Sequence, residues 1–339
     1  MGKKASPGRV GIAAVAAAAG VSPATVSRVM NGNYTVDAQI AARVRQVATE
    51  LNYQPNPLGR SLVLGKTETI GVIVPDLANP TFQAALHGVS RAAAKDGYRV
   101  LIADSAETTS EEPILSSEMR RRCDGVILCA PRMSIEQLSG IAESLRPLVL
   151  INRPDDVPET PSFSVDYGHG ITELAEHVLS LGHRHIAYLA GPARSVSHGV
   201  RLASLEKFAA AHPEVELRFL EAGSSFESGH SAVDKVLDAG VTAVLAFNDL
   251  VAMGLLSGLH ERGVKVPEDI SVTGFDDIPF ASYTMPPLTS AEVSIDVVGE
   301  RAWQSMRGLL RKEPAEGPLK HTFEPTLRPR GSTGPAPRG

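Results

Sequence analysis

Apolar residues follow a helical period in the first fifty positions, and a strand-and-helix alternation replaces it beyond Gly65. Ile12, Val15, Ala16 and Ala19 recur every three or four residues and predict a helix ending at Gly20, a residue suited to a left-handed stop. Val21 begins a tight turn. Ser22 is a good N-cap and Pro23 fits a first helical position, so a second helix should run from Pro23 to about Met30 with Val26 and Val29 inward. Thr25, Ser27 and Arg28 then point the other way. Asp37 should cap a third helix through Leu51, which supplies Val44, Val47 and Leu51 to a small core. Helix, glycine-containing turn and helix form a unit whose second helix enters the major groove of DNA, although a purely structural helical hairpin has the same spacing.

After Gly65, "TIGVIVP", "RVLIAD", "GVILCA" and "PLVLIN" read as aliphatic strands buried on both faces, each followed by a helix. The pattern recurs after about residue 165 with "HIAYLAG", the strand near "ELRFLEA", "AVLAF" and "ISVTGF". This predicts two similar doubly wound α/β lobes with parallel sheets and a cleft between them. Ligands in such sheets lie outside the carboxyl ends of the strands. That rule selects Asp76, Asn79 and Phe82 after the first strand, Asn152 and Arg153, Asn248 and Asp249, Asp276 and Asp277, with Arg201 from the helix after "LAGP". Carboxylates, amides and an arginine beside an aromatic ring suit a sugar or polyol, because each hydroxyl donates and accepts while the C–H face packs on Phe82. The expected binding set is Asp76, Asn79, Phe82, Asn152, Arg153, Arg201, Asn248 and Asp276. Plainer roles compete: Asp249 and Asp277 as caps or lobe-to-lobe pairs, Arg153 as a salt bridge, and Asn79 as the cap of a helix starting near Pro80.

Charge sharpens the division. Residues 1–66 hold eight Lys/Arg against two acids, a net +6, whereas the rest of the 339 residues carries −11. A basic head on an acidic body fits a head that meets a polyanion. The length suggests two or three folded units, and only "RPRGSTGPAPRG" reads as a disordered tail. The start, "MGKKASPGRVGIAAVAAAAGVS", has some composition of a signal peptide, but Gly11 and Gly20 interrupt the apolar run and no leucine occurs in it. No segment approaches the roughly 18 apolar residues of a membrane span. Cys123 and Cys129 flank "DGVIL" and read as buried strand residues in a reducing cytoplasm. There is no phosphate loop, GxSxG elbow, GxGxxG or metal-ligand spacing, so neither cofactor nor metal is expected. The nearest enzymatic candidate is an acid pair, Asp249 with Asp276, acting on a glycosidic bond. A periplasmic sugar-binding protein would share the two lobes but have no use for the basic head.

The stretches "IAAVAAAAGVSPATVSRVMNG", "ARVRQVATELNYQPNPLGRSLVLGKTETIGVIVPDLANPTF", "SVDYGHGITELAEHVLSLGHRHIAYLAGP", "FNDLVAMGLL" and "VPEDISVTGFDDIPFASYTMPPLTS" resemble, in this order, the LacI/GalR family of bacterial transcription regulators. The resemblance implies a helix-turn-helix head over residues 1–55, a hinge over 56–66 and an effector-binding, dimerising core over 67–328. It also implies three crossings between lobes, with lobe 1 about 67–165 plus 294–312, lobe 2 about 166–293 plus 318–328, and a disordered tail over 329–339. The final strand, "HTFEPTLRP", would then belong to the second lobe.

By the same resemblance, operator contacts fall to Ser22, Pro23, Ala24, Thr25, Ser27, Arg28, Asn31 and Asn56, and Leu62 enters the minor groove as a wedge. Gly59 replaces a usual Ala in the hinge, Gly11 a usual helix-capping Thr or Ser, and Asn52 a usual Gly that a left-handed Asn would serve. In the cleft, Thr81 stands where an aromatic is frequent and Val293, beside Glu292, where a Gln is frequent, while Asn152-Arg153 resembles the Asp-Arg pair of ribose-type members. The expectation is a cytoplasmic, nucleoid-associated homodimer without membrane contact. It would be a repressor of carbohydrate genes released from a palindromic operator by a small sugar or polyol.

Overall fold

The computed structural model describes residues 10–30, 36–53, 65–154, 157–314 and 317–337. The chain divides into two compact units, Met1–Glu68 and Thr69–Gly339.

The first unit contains α1 (Ile12–Ala19), α2 (Pro23–Met30) and α3 (Ala38–Glu50). Gly20 takes φ 65 at the end of α1, and Val21 N donates to Ala16 O at 3.0 Å. That left-handed turn folds the chain back, so α1 and α2 meet at 102°, within the usual range for helix-turn-helix units. Val15, Ala16 and Ala19 pack against Val26, Val29, Ala41, Val44 and Ala48, with Val47 and Leu51 at the margin of the core. Asp37 caps α3 by accepting from Gln39 N and Ile40 N. Asn52 adopts φ 52, while Gly11 precedes α1 without a side-chain cap. Asn31, Asn56, Gly59 and Leu62, and with them most of the expected hinge, lie outside the described residues.

The second unit runs β1 (Thr69–Val74), α4 (Pro80–Lys95), β2 (Arg99–Asp104), α5 (Glu111–Arg122), β3 (Gly125–Cys129), α6 (Ile135–Leu145), β4 (Leu148–Ile151) and β5 (Ser162–Val165). It continues through α7 (Tyr167–Ser180), β6 (His185–Ala190), α8 (Val196–Ala211), β7 (Glu216–Glu221), α9 (Phe226–Ser231), α10 (Val233–Asp238), β8 (Ala243–Ala246), α11 (Asp249–Glu261) and β9 (Ser271–Thr273). It closes with β10 (Ser290–Glu292), α12 (Ile295–Arg311), β11 (Lys320–Phe323) and β12 (Thr326–Arg328). One parallel sheet has the order β11-β5-β4-β3-β1-β2 and the other β7-β6-β8-β9. Strand order reverses at β1/β3 and β6/β8, the positions where open α/β sheets leave a crevice. A continuous hydrophobic cluster, from Ile70 and Val72 through Tyr188 and Leu245 to Trp303, links the lobes.

Three expectations are corrected. First, β2 and β7 are edge strands rather than strands buried on both faces, which leaves Leu101, Ile102 and Phe219 exposed at 38%, 45% and 41%. Second, "HTFEPTLRP" is divided between the lobes. β11 extends the first sheet beside β5, and β12 pairs antiparallel with β10 of the second lobe, so the last crossing falls between them. Third, the described part of the tail is folded onto the second lobe. Ser332 is fully buried, donates to Val272 O and accepts from Thr289 N, while Gly334 N donates to Ser271 Oγ and Ala336 N to Leu181 O. A Pro/Gly-rich composition predicted disorder, but these residues find their hydrogen bonds on β9, on the loop before β10 and at the end of α7.

Candidate functional site

On the first unit, the solvent face of α2 is built by default, because Val26 and Val29 are committed to the core. Ser22, Pro23, Ala24 and Arg28 are exposed, and Thr25 and Ser27 are partly exposed. Ser22 starts the helix: its Oγ accepts from Thr25 N at 3.2 Å and lies 3.0 Å from Thr25 Oγ1. Arg28, Arg43 and Arg45 are exposed and form no ion pair with any described carboxylate. A helix N-terminus, small side chains and a cation without a described carboxylate partner on α2 suit a polyanion with readable edges.

In the second unit, the carboxyl ends of the strands converge on Arg201 of α8, which is only 1% exposed. Its guanidinium carbon lies 4.0 Å from the Phe275 ring centre, 4.3 Å from Tyr167 and 4.6 Å from Phe247. Two glycines make this cage possible: a β-carbon on Gly191 would collide with the Phe247 ring, and one on Gly170 with Phe275. Nε and Nη1 of Arg201 are buried without a protein acceptor among the described residues. The rings hold the guanidinium plane while these N–H groups stay available to a partner.

Asp276 follows β9 in a left-handed turn, φ 99, with Asp277 at φ 53. Burial pushes the Asp276 carboxyl up to about 6, against the opposing effects of Arg201 and of a 2.8 Å hydrogen bond from Thr81 Oγ1. Asp277 is held by Arg330, whose Nη1 and Nη2 donate to its two oxygens at 2.6 and 3.0 Å. Asp249 is fully buried. Its Oδ1 accepts from Ser290 Oγ at 2.6 Å and its Oδ2 from Ile278 N at 2.7 Å, and burial followed by repulsion from Asp276 raises its carboxyl well above the usual range. Both oxygens are occupied in holding the turn, so the glycosidase reading of Asp249 with Asp276 loses its second carboxylate.

The other expected residues are committed to backbone. Asn248 caps α11 by accepting from Val251 N and donates to Ser224 O. Asn79 caps α4 through Thr81 N, and Asp76 accepts from Ala78 N. Asn152, at φ 52, accepts from Val165 N, and Arg153 donates to Pro131 O and Met133 O, both at 2.8 Å. Phe82 is buried in the same hydrophobic cluster as Tyr167, Phe247 and Phe275. Glu292 is paired with Arg328. Sequence reasoning missed Tyr167, Phe247 and Phe275 as cleft residues. Each stands at or just beyond a strand end, and the signal was present in "SVDY", "LAFN" and "TGFD".

Two family descriptions match the chain: bacterial regulatory proteins of the lacI family over residues 11–56, and a periplasmic binding protein-like domain over residues 175–333. Catabolite control protein A of Streptococcus mutans is 31% identical over 323 residues, covering 94% of this chain and 96% of that protein. The lac repressor dimer bound to operator and the anti-inducer ONPF superposes with a TM-score of 0.85 at 27% identity, covering 96% of this chain and 99% of the other. The transcriptional regulator CelR in complex with cellobiose gives a TM-score of 0.70 at 28% identity, covering 96% and 100%.

Proposed function

The chain belongs to the LacI family of bacterial regulatory proteins, and from that premise we propose that it represses carbohydrate genes from a palindromic operator and is released by a small sugar or polyol. It is a DNA-binding transcription regulator and not an enzyme. The observation that carries the reading is the exposed face of α2 on a folded three-helix unit, its arginine without a carboxylate partner among the described residues. Ser22, Pro23, Ala24, Thr25, Ser27 and Arg28 read the half-site. Pro23 and Ala24 allow close approach and apolar contact with thymine methyls, and Arg28 takes a guanine or a phosphate. Asn31, Asn56 and the wedge Leu62 extend the contact beyond the described residues.

The effector lies against the Arg201 cage and accepts from the unpaired N–H groups, while its hydroxyls donate to Asp276. Asp76, Asn79, Phe82, Asn152, Arg153 and Asn248 complete the walls. Two copies pair through the edge strands β2 and β7, covering Leu101, Ile102 and Phe219, and two-fold pairing presents two heads to the two half-sites. The dimer works in the cytoplasm at the nucleoid. Among the described residues no single helix is long and apolar enough to cross a membrane.

Selection of binding duplexes from a random library tests the reading. It should return palindromes, and a subsequent screen of sugars and polyols against the selected complex should find a releasing ligand. A protein that enriches no duplex while binding a sugar would instead be a solute-binding protein.

A further inference from the structure

One hydrogen bond joins the lobes at the carboxylate just described. Thr81 is the second residue of α4, in the first lobe, and its Oγ1 donates to Asp276 Oδ2 of the second lobe at 2.8 Å across 195 positions of sequence. Neither end swings freely. Thr81 is buried, and its own N–H is tied to Asn79 Oδ1 at the start of α4. Asp276 sits in a backbone conformation that an L residue adopts only when its surroundings impose it. Those surroundings are visible: Asp276 N donates to Ala291 O at 2.9 Å, Val293 N donates to Asp276 O at 3.3 Å, and Arg330 grips the next residue by two hydrogen bonds. A turn clamped in this way aims the carboxylate at one place, and the helix N-terminus of the other lobe places a hydroxyl there.

We infer that Thr81 is a positioning residue whose hydroxyl latches the two lobes through Asp276 before any effector arrives. An effector that recruits Asp276 must take over this bond or share the carboxylate with it. The latch thereby sets how far the ligand-free protein is already closed, and only this consequence rests on the effector reading of the cleft. A half-buried carboxylate that lost the Thr81 hydroxyl would gain by drawing in more water, which parting of the lobes provides.

Nitroxide labels at Ser139 of α6 and Lys207 of α8, exposed positions on separate lobes, report the separation by electron-electron double resonance without sugar or DNA. Both native cysteines are buried. Wild type and Thr81→Ser should share one narrow, short distribution. Thr81→Val, equal in size but without the hydroxyl, should shift to longer distances, and Asp276→Leu should do the same. The double variant should open no further than either single one. A Thr81→Val distribution that superposes on wild type, or double-variant opening equal to the sum of the singles, would overturn the latch. If Thr81→Val does not fold, the contrast between Asp276→Asn, whose amide oxygen still accepts, and Asp276→Leu decides the same question. Neither operator nor sugar enters the measurement, so the latch and the effector reading fail independently.

Discussion

Arg28 and Asp276 show what a single residue contributes in each of the two units. Arg28→Ala should weaken operator binding by about 1–3 kcal/mol if it reaches a guanine, with relaxed preference at that base, and less selectively if it holds a phosphate. Mobility shifts at matched salt decide, and unchanged affinity would remove α2 from the interface. For Asp276 the consequence is a pH dependence. Its carboxyl is raised to about 6 from an ordinary 3.8, so the folded protein keeps a proton that the unfolded chain has lost. Stability therefore falls as pH rises from about 4 to about 6, by at most ~1.4 kcal/mol per pH unit, and stays at the lower level above that window. Asp276→Asn should flatten this part of the curve in urea unfolding measured across the window. An identical slope in both proteins would assign it to other groups. The place of Asp276 was legible in the sequence because it follows a strand end of a doubly wound sheet, and that of Arg201 because its helix follows another strand, β6. The aromatic cage was not, since Phe247 and Phe275 sit one position before the residues that the strand-end rule selects, and Phe82 is the one aromatic it reaches. Asn79 and Arg153 read in sequence either as ligands or as local ties, and their hydrogen bonds to Thr81 N, Pro131 O and Met133 O show the local ties.

Among the elements, α1 to α3 follow closely from helical spacing, N-caps and one glycine, all of them local signals. The edge strands do not, because "RVLIAD" has the composition of a buried strand and only its place at the end of the sheet exposes it. The terminal segment failed for a related reason. Its hydrogen bonds are made with groups between 40 and 160 positions earlier in the chain, which composition cannot reveal. Ser332→Ala should cost about 1–3 kcal/mol by leaving Thr289 N–H and Val272 C=O without their buried partner. Urea unfolding at fixed protein concentration reads this loss, and a stability equal to wild type would return the segment to the status of a loose tail.

For the whole molecule, ligand and operator can communicate only through arrangements that each binds unequally. Their coupling is reciprocal, so operator DNA must shift sugar affinity by the same factor as sugar shifts operator affinity, roughly 5- to 150-fold for an ordinary coupling. Titrating the operator complex with the releasing sugar, and the sugar complex with operator, should return equal factors. Asp276→Ala should keep operator binding and lose the response, whereas a full response in that variant would misplace the effector site. The three crossings between lobes carry a further consequence for the order of synthesis. The first lobe awaits α12 and β11, and the second awaits β12 and the residues around Ser332, so neither is complete until the last part of the chain has been made. The three-helix head is finished within its first 53 residues. At roughly 5–20 residues per second, it leaves the ribosome on the order of 15–50 s before either sensing lobe can close. A message cut short within the core would therefore yield a head able to recognise DNA but attached to nothing that can pair it or release it.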